Sequence, residues 1–180
     1  MKILLLMMVM SLIFISDARA NDSFYQLPDV QFQDQDGHQF RLAALAGKAW
    51  LFGMFYSSCT DVCPYEIEQV HQFEQAVQQD HHGALPAILI SMDPDDGLQT
   101  LREMASMHHL SGTSLRLVRV THGDLGMLEG VLGVHVRALG KHAFAHQPVL
   151  TQVDATGQIV VQVQASLLQQ PEIRARLLNP

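Results

Sequence analysis

The sequence predicts an α/β domain, a central mixed sheet flanked by helices and opened by an N-terminal β-hairpin. Three observations carry this expectation. Two continuous apolar runs, "AWLFGMFY" (49–56) and "ALPAILISM" (84–92), are bounded by turn residues and have the length of strands buried on both faces. Each is followed by a stretch with apolar residues at helical spacing. The late segment "PVLTQVDATGQIVVQVQ" (148–164) reads as a hairpin around Asp154 to Gly157. Strands alternating with helices and closed by a hairpin give a sheet covered on both faces.

Taken in order, Val30 and Phe32 lead into a turn at Asp36-Gly37, and the pattern resumes at Phe40 and Leu42. That dipeptide favours a type I′ turn. Gly47-Lys48 makes a second turn before the first central strand. From Pro64 to about Gln79, Ile67, Val70, Phe73, Ala76 and Val77 predict a helix with Pro64 in its first turn. The second central strand ends at Asp93-Pro94, and a helix follows through Leu98, Leu101, Met104, Ala105 and His108. "SLRLVRVT" (114–121) is a third strand, and a short helix spans about 124–132. Residues 133–145 read as irregular, with a turn at Gly140-Lys141. After the hairpin, residues 165–178 show helical spacing through Leu167, Leu168, Ile173, Leu177 and Leu178. The first central strand runs directly into two cysteines at a helix start, which is the organisation of a thioredoxin-like domain.

The first twenty residues are set apart. A basic start at Lys2, an apolar run from Ile3 to Ile15 and Ala18-Arg19-Ala20 together read as a secretory signal. The run of about thirteen residues is shorter than the ~20 a span needs, so a retained membrane anchor is the weaker alternative. The expected domain is 21–180, exported to the periplasm or a comparable compartment and soluble after cleavage. Loss of Lys2, Arg19 and Asp17 takes the formal charge from −7 to −8. An acidic domain is a poor partner for nucleic acid, whose backbone calls for concentrated positive charge. A monomer is expected.

Cys59 and Cys63, with Pro64 directly after, are the chain's two cysteines. A domain of this size needs no disulfide staple. A disulfide, a redox-active pair and a metal clip all remain open at this spacing. A helix N-terminus favours the thiolates that the last two require. A two-thiolate site wants a third ligand, and the chain has ten histidines. His81-His82 and His108-His109 end helices, where imidazole is at home, and His71 on the cysteine helix reads as surface. His142 and His146 lie in the segment leading into the 148–164 hairpin, which should return beside the carboxyl end of the first central strand. His146 is the candidate ligand, with His142 farther out. Two thiolates and an imidazole suit copper(I). Asp61 reads as a helix cap, a solvent-facing acid or a tuner of the thiols, and Asp93 as a helix-start residue.

These residues resemble the Sco/SenC family of copper-binding, thioredoxin-like proteins of cytochrome c oxidase assembly. The resemblance is carried by "CTDVCP" preceded by "LFGMFYSS", by "ISMDPDDG", and by "HQPVLTQVDATGQIV", in which His146 stands eight residues before Asp154. It spans about residues 24–178. It implies that Cys59, Cys63 and His146 bind copper(I), with copper(II) left open. It implies a chaperone for the binuclear copper centre of the oxidase, whose partners are the copper-bearing subunit or another copper acceptor and a thioredoxin-like reductase. The alternative is an exported thiol-disulfide oxidoreductase using the Cys59/Cys63 pair. Two departures stand out. The family's acid beside the histidine is replaced here by Ala145, which removes a partner for the imidazole. Pro148 occupies the place where thioredoxin-like reductases carry a cis proline, so a cis bond there is a second expectation.

Overall fold

The computed structural model describes residues 23–79 and 85–180. The expected signal segment and His81-His82 lie outside the described residues. The strands are β1 (Gln31–Asp34), β2 (Gln39–Arg41), β3 (Trp50–Phe55), β4 (Ala87–Ser91), β5 (Arg116–His122), β6 (Arg137–Gly140), β7 (Ala143–Ala145), β8 (Val149–Val153) and β9 (Ile159–Gln164). The α-helices are α1 (Val62–Gln79), α2 (Leu98–Met107), α3 (Leu125–Val131) and α4 (Pro171–Leu178).

Seven strands form one sheet in the order β2-β1-β5-β4-β3-β8-β9, and β6 and β7 form a separate two-stranded hairpin. The pairs β3/β4 and β4/β5 are parallel, and the flanking pairs are antiparallel. The sheet is therefore mixed, thioredoxin-like, and begins with the N-terminal hairpin. Residue alternation along β3 assigns its side chains to two cores. Leu51 and Phe55 pack with Cys63, Ile67, Val70, Phe73 and Val77 of α1. Trp50, Phe52 and Met54 pack on the other face with Leu128 of α3 and with Phe24 and Tyr25. Both faces of β3 are covered, which is why its sequence is continuously apolar.

Four local expectations are corrected. The Asp36-Gly37 turn is not type I′, because Gly37 alone of the two has positive φ (92°). Asp34 organises a longer loop instead, its carboxylate accepting from the N–H groups of Asp36 (3.0 Å) and His38 (2.8 Å). Residues 137–145 are the β6–β7 hairpin rather than irregular chain. The C-terminal stretch is broken into a 3-10 turn at Ala165–Leu167 and then α4, with Pro171 at the helix start. The bond before Pro148 is trans, as no cis peptide occurs among the described residues.

Gly53 sits mid-strand in β3 because nothing larger fits. A Cβ there would lie 2.6 Å from Leu150, 2.7 Å from Leu89 and 2.8 Å from Glu66 Oε1. Gly53→Ala is expected to destabilise the fold by about 1–3 kcal/mol through overpacking. A lowered urea midpoint with unchanged slope would confirm this, and a wild-type midpoint would contradict it.

Candidate functional site

The site forms at the carboxyl end of β3. After Phe55 the chain leaves the sheet, and a loop carries Ser57, Ser58 and Cys59 to the start of α1. The buried carboxylate of Asp96 anchors this loop. It accepts from the Ser57 N–H at 3.0 Å and from the Ser57 hydroxyl, and it also accepts from Ser91 Oγ at 2.5 Å. Cys59 is half-buried, whereas Cys63, on the first turn of α1, is fully buried against the sheet. Both are free thiols. The Cys63 N–H donates to Cys59 Sγ at 3.3 Å.

The third candidate arrives from the other side of β3. The register Trp50–Val153, Leu51–Gln152, Phe52–Thr151 sends the start of β8 toward the end of β3. His146, just before β8, thereby places Nε2 3.5 Å from Cys63 Sγ. Its Nδ1 faces the Gln147 carbonyl oxygen at 3.2 Å. A carbonyl only accepts, so Nδ1 carries the hydrogen in the neutral ring and Nε2 presents its lone pair to the sulfur. Burial lowers the His146 pKa, with the Gln147 carbonyl opposing, which favours that neutral ring. Tyr56 walls the site, its ring 5.1 Å from Phe144 and 6.1 Å from His146, and its hydroxyl donates to the Phe144 carbonyl at 3.1 Å.

The two thiols differ chemically. Burial alone would raise the Cys59 pKa, but hydrogen bonds from the Cys63 thiol and from the N–H groups of Asp61 and Cys63 outweigh it and hold Cys59 below the usual thiol value. Burial raises the Cys63 thiol strongly, and its role as donor to Cys59 raises it further. The pair is thus a half-buried thiol disposed to ionise beside a buried thiol disposed to keep its proton, the division that nucleophilic sulfur chemistry uses.

The remaining sequence candidates fall differently. Asp61 is exposed and serves the site through its backbone N–H. Asp93 does not start α2, whose N-cap is Gly97. It is buried and faces His142 Nδ1 at 2.7 Å. His71 is not on the surface but buried, 2.9 Å from the Gln75 amide. Among the described residues, the groups with three ligand atoms mutually within 4.8 Å are Asp34/Asp36/His38 and Asp93/Asp95/His142. The Cys59, Cys63 and His146 ligand atoms are not all that close to one another.

Glu66 is a site feature that sequence reasoning missed. It lies one turn beyond Cys63, fully buried beside Gly53, and neither carboxyl oxygen has a hydrogen-bond partner among the described residues. Burial, reinforced by the negative charge of Cys59, raises its pKa well above the usual carboxylate range. The signal was its spacing, since residues 63, 66, 67 and 70 share one helical face.

A family model for SCO1/SenC matches residues 20–123, more than half of the chain. The chain belongs to the SCO1/SenC family. The structure of Bradyrhizobium japonicum ScoI with copper bound is 25% identical, with a TM-score of 0.62, covering 82% of this chain and 94% of that one. A SCO1/SenC family lipoprotein from Bacillus anthracis is 18% identical at TM-score 0.70, covering 84% and 96%. BsSco, a Sco family member of the cytochrome c oxidase assembly proteins in which a disulfide switch was identified, is 18% identical at TM-score 0.64, covering 83% and 92%. No curated protein matches the sequence significantly. No helix among the described residues is long and apolar enough to cross a membrane.

The buried acid of this SCO1/SenC chain gives a pH test. Glu66 holds a proton in the folded state at pH values where the unfolded chain, with a pKa of about 4.3, has lost it. The folded state then binds more protons, so this group's contribution to stability falls as pH rises from about 4.3 toward its folded value. Glu66→Gln should remove that slope. Above about pH 5, and up to the acid's folded value, the variant should gain on wild type by up to about 1.4 kcal/mol per pH unit in urea unfolding. A difference independent of pH would contradict a buried neutral acid.

Proposed function

We propose that this protein is a copper chaperone that holds copper(I) through Cys59, Cys63 and His146. Its acceptor is the copper-bearing subunit of cytochrome c oxidase. The observation that carries the proposal is the lone pair of His146 Nε2 aimed at Cys63 Sγ from 3.5 Å. Two sulfurs and an imidazole nitrogen form a soft donor set, which suits copper(I) and disfavours hard cations such as Mg²⁺ and Ca²⁺. Family membership supports the same function, and ScoI of Bradyrhizobium japonicum was solved with copper bound.

Copper is cargo here, so the site must both load and release it. Loading displaces the proton of the buried Cys63 thiol, while Cys59 is already disposed to be thiolate. The imidazole binds without losing a proton. The partial exposure of Cys59 leaves one side of the ion open to an incoming ligand of the acceptor.

The unequal thiols support a second reading, thiol-disulfide exchange. The Cys59 thiolate attacks a partner disulfide and forms a mixed disulfide, releasing one partner thiolate. Cys63 then gives up its proton and attacks Cys59 Sγ, releasing the second. The Cys59–Cys63 disulfide forms, and two electrons have passed to the partner.

His146→Ala is expected to weaken copper(I) binding by at least about tenfold while leaving the rate of disulfide reduction near wild type. Copper(I) affinity by ligand competition and reduction kinetics test both halves. Unchanged affinity would remove His146 from the ligand set, and a collapsed exchange rate would favour the oxidoreductase reading. The oxidised protein should retain no copper(I), because its ligands are thiolates. Equal binding by both redox forms would place the metal elsewhere.

A further inference from the structure

The hairpin that carries Phe144 and leads to His146 is not part of the main sheet. Among the described residues β6 pairs only with β7, and all four residues of β6 are exposed. An isolated two-stranded hairpin is marginally stable by itself. Its position therefore depends on contacts with the rest of the domain: Tyr56 packs on Phe144 and donates to its carbonyl, and a second set gathers at the turn residue His142. His142 Nδ1 lies 2.7 Å from the buried carboxylate of Asp93, and Nε2 lies 3.7 Å from Asp95. Ser58, next to Cys59, donates its hydroxyl to the His142 carbonyl oxygen at 2.5 Å. Asp93 is itself held, its side chain accepting the Asp95 N–H at 2.9 Å and its own N–H donating to Ser91 Oγ at 3.2 Å. His142 has φ 57°, a left-handed conformation that an unrestrained histidine rarely adopts.

We infer that the His142–Asp93 contact is a latch that seats the β6–β7 hairpin over the cysteine loop and so aims His146 at Cys63. Both residues are positioning residues that act through the hairpin and do not touch the metal. The inference rests on the copper site proposed above.

Four variants test the latch. Asp93→Ala and His142→Gly break it from either side, and glycine keeps the positive φ without strain. His142→Asn should restore it, because asparagine tolerates the left-handed region and branches a donor amide at the position of Nδ1. Copper(I) affinity, measured by ligand competition, should fall by about tenfold or more in the two breaking variants and recover in His142→Asn. In a His146→Ala background, Asp93→Ala should cost nothing further, since the ligand it positions is gone. Wild-type affinity in both breaking variants would overturn the latch and leave the copper site standing. So would a loss that adds to that of His146→Ala, which would mean that Asp93 acts on the metal or on the fold at large. If the wild-type protein takes up no copper(I), the copper reading fails. The latch is then judged on amide exchange of residues 143–145 in the metal-free protein: faster exchange in Asp93→Ala supports it, and unchanged exchange overturns it.

Discussion

Three backbone pairs between β3 and β8, from Trp50 with Val153 to Phe52 with Thr151, set the position of everything at the end of the sheet. Because the strands are antiparallel, the end of β3 and the start of β8 lie together. The cysteine loop leaves from one and His146 enters the other. A shift of one residue would turn every β8 side chain to the opposite face and undo the packing of Leu150 in the α1 core. The register is thus fixed by burial throughout the domain, and the site inherits its precision from the core.

That inheritance has costs in the same core. Cys63 is buried where a thiolate is disfavoured, and Glu66 is buried with no hydrogen-bond partner. Two acidic groups lie close together, and their burial keeps both protonated. The site can therefore hold one thiolate, at Cys59, without accumulating buried charge. In the proposed copper-bound form, the cation would offset the second negative charge when Cys63 loses its proton. Close packing supports this arrangement: the carboxyl of Glu66 occupies the space left by the missing side chain of Gly53.

The sequence made the main elements legible because their signals are local. β3 and β4 are continuous apolar runs, and α1 shows its helical spacing within a single stretch. The approach of His146 to Cys63 was readable for a related reason, since a Cys-Pro pair at a helix start and a histidine before a hairpin imply one end of one sheet. What stayed hidden depends on partners distant in sequence. Glu66 looked like a polar helix residue because only Gly53, in another element, makes room for it. Asp93 looked like a helix start because its partner His142 is 49 residues away. The β6–β7 hairpin was missed because its strands are short, β6 exposed and β7 half-buried throughout, so they carry no alternation of buried and exposed residues. His71 was misjudged because its burial comes from neighbouring elements rather than from its own helix pattern.

The central claim is that one soft ion is held by two sulfurs and one imidazole. X-ray absorption spectroscopy of the reduced protein carrying one equivalent of copper(I) tests it most directly. Two sulfur scatterers and one imidazole nitrogen are expected, with the imidazole contribution lost in His146→Ala. A spectrum with no sulfur, as the Asp93/Asp95/His142 group would give, or a sulfur signal unchanged by loss of His146, would contradict it.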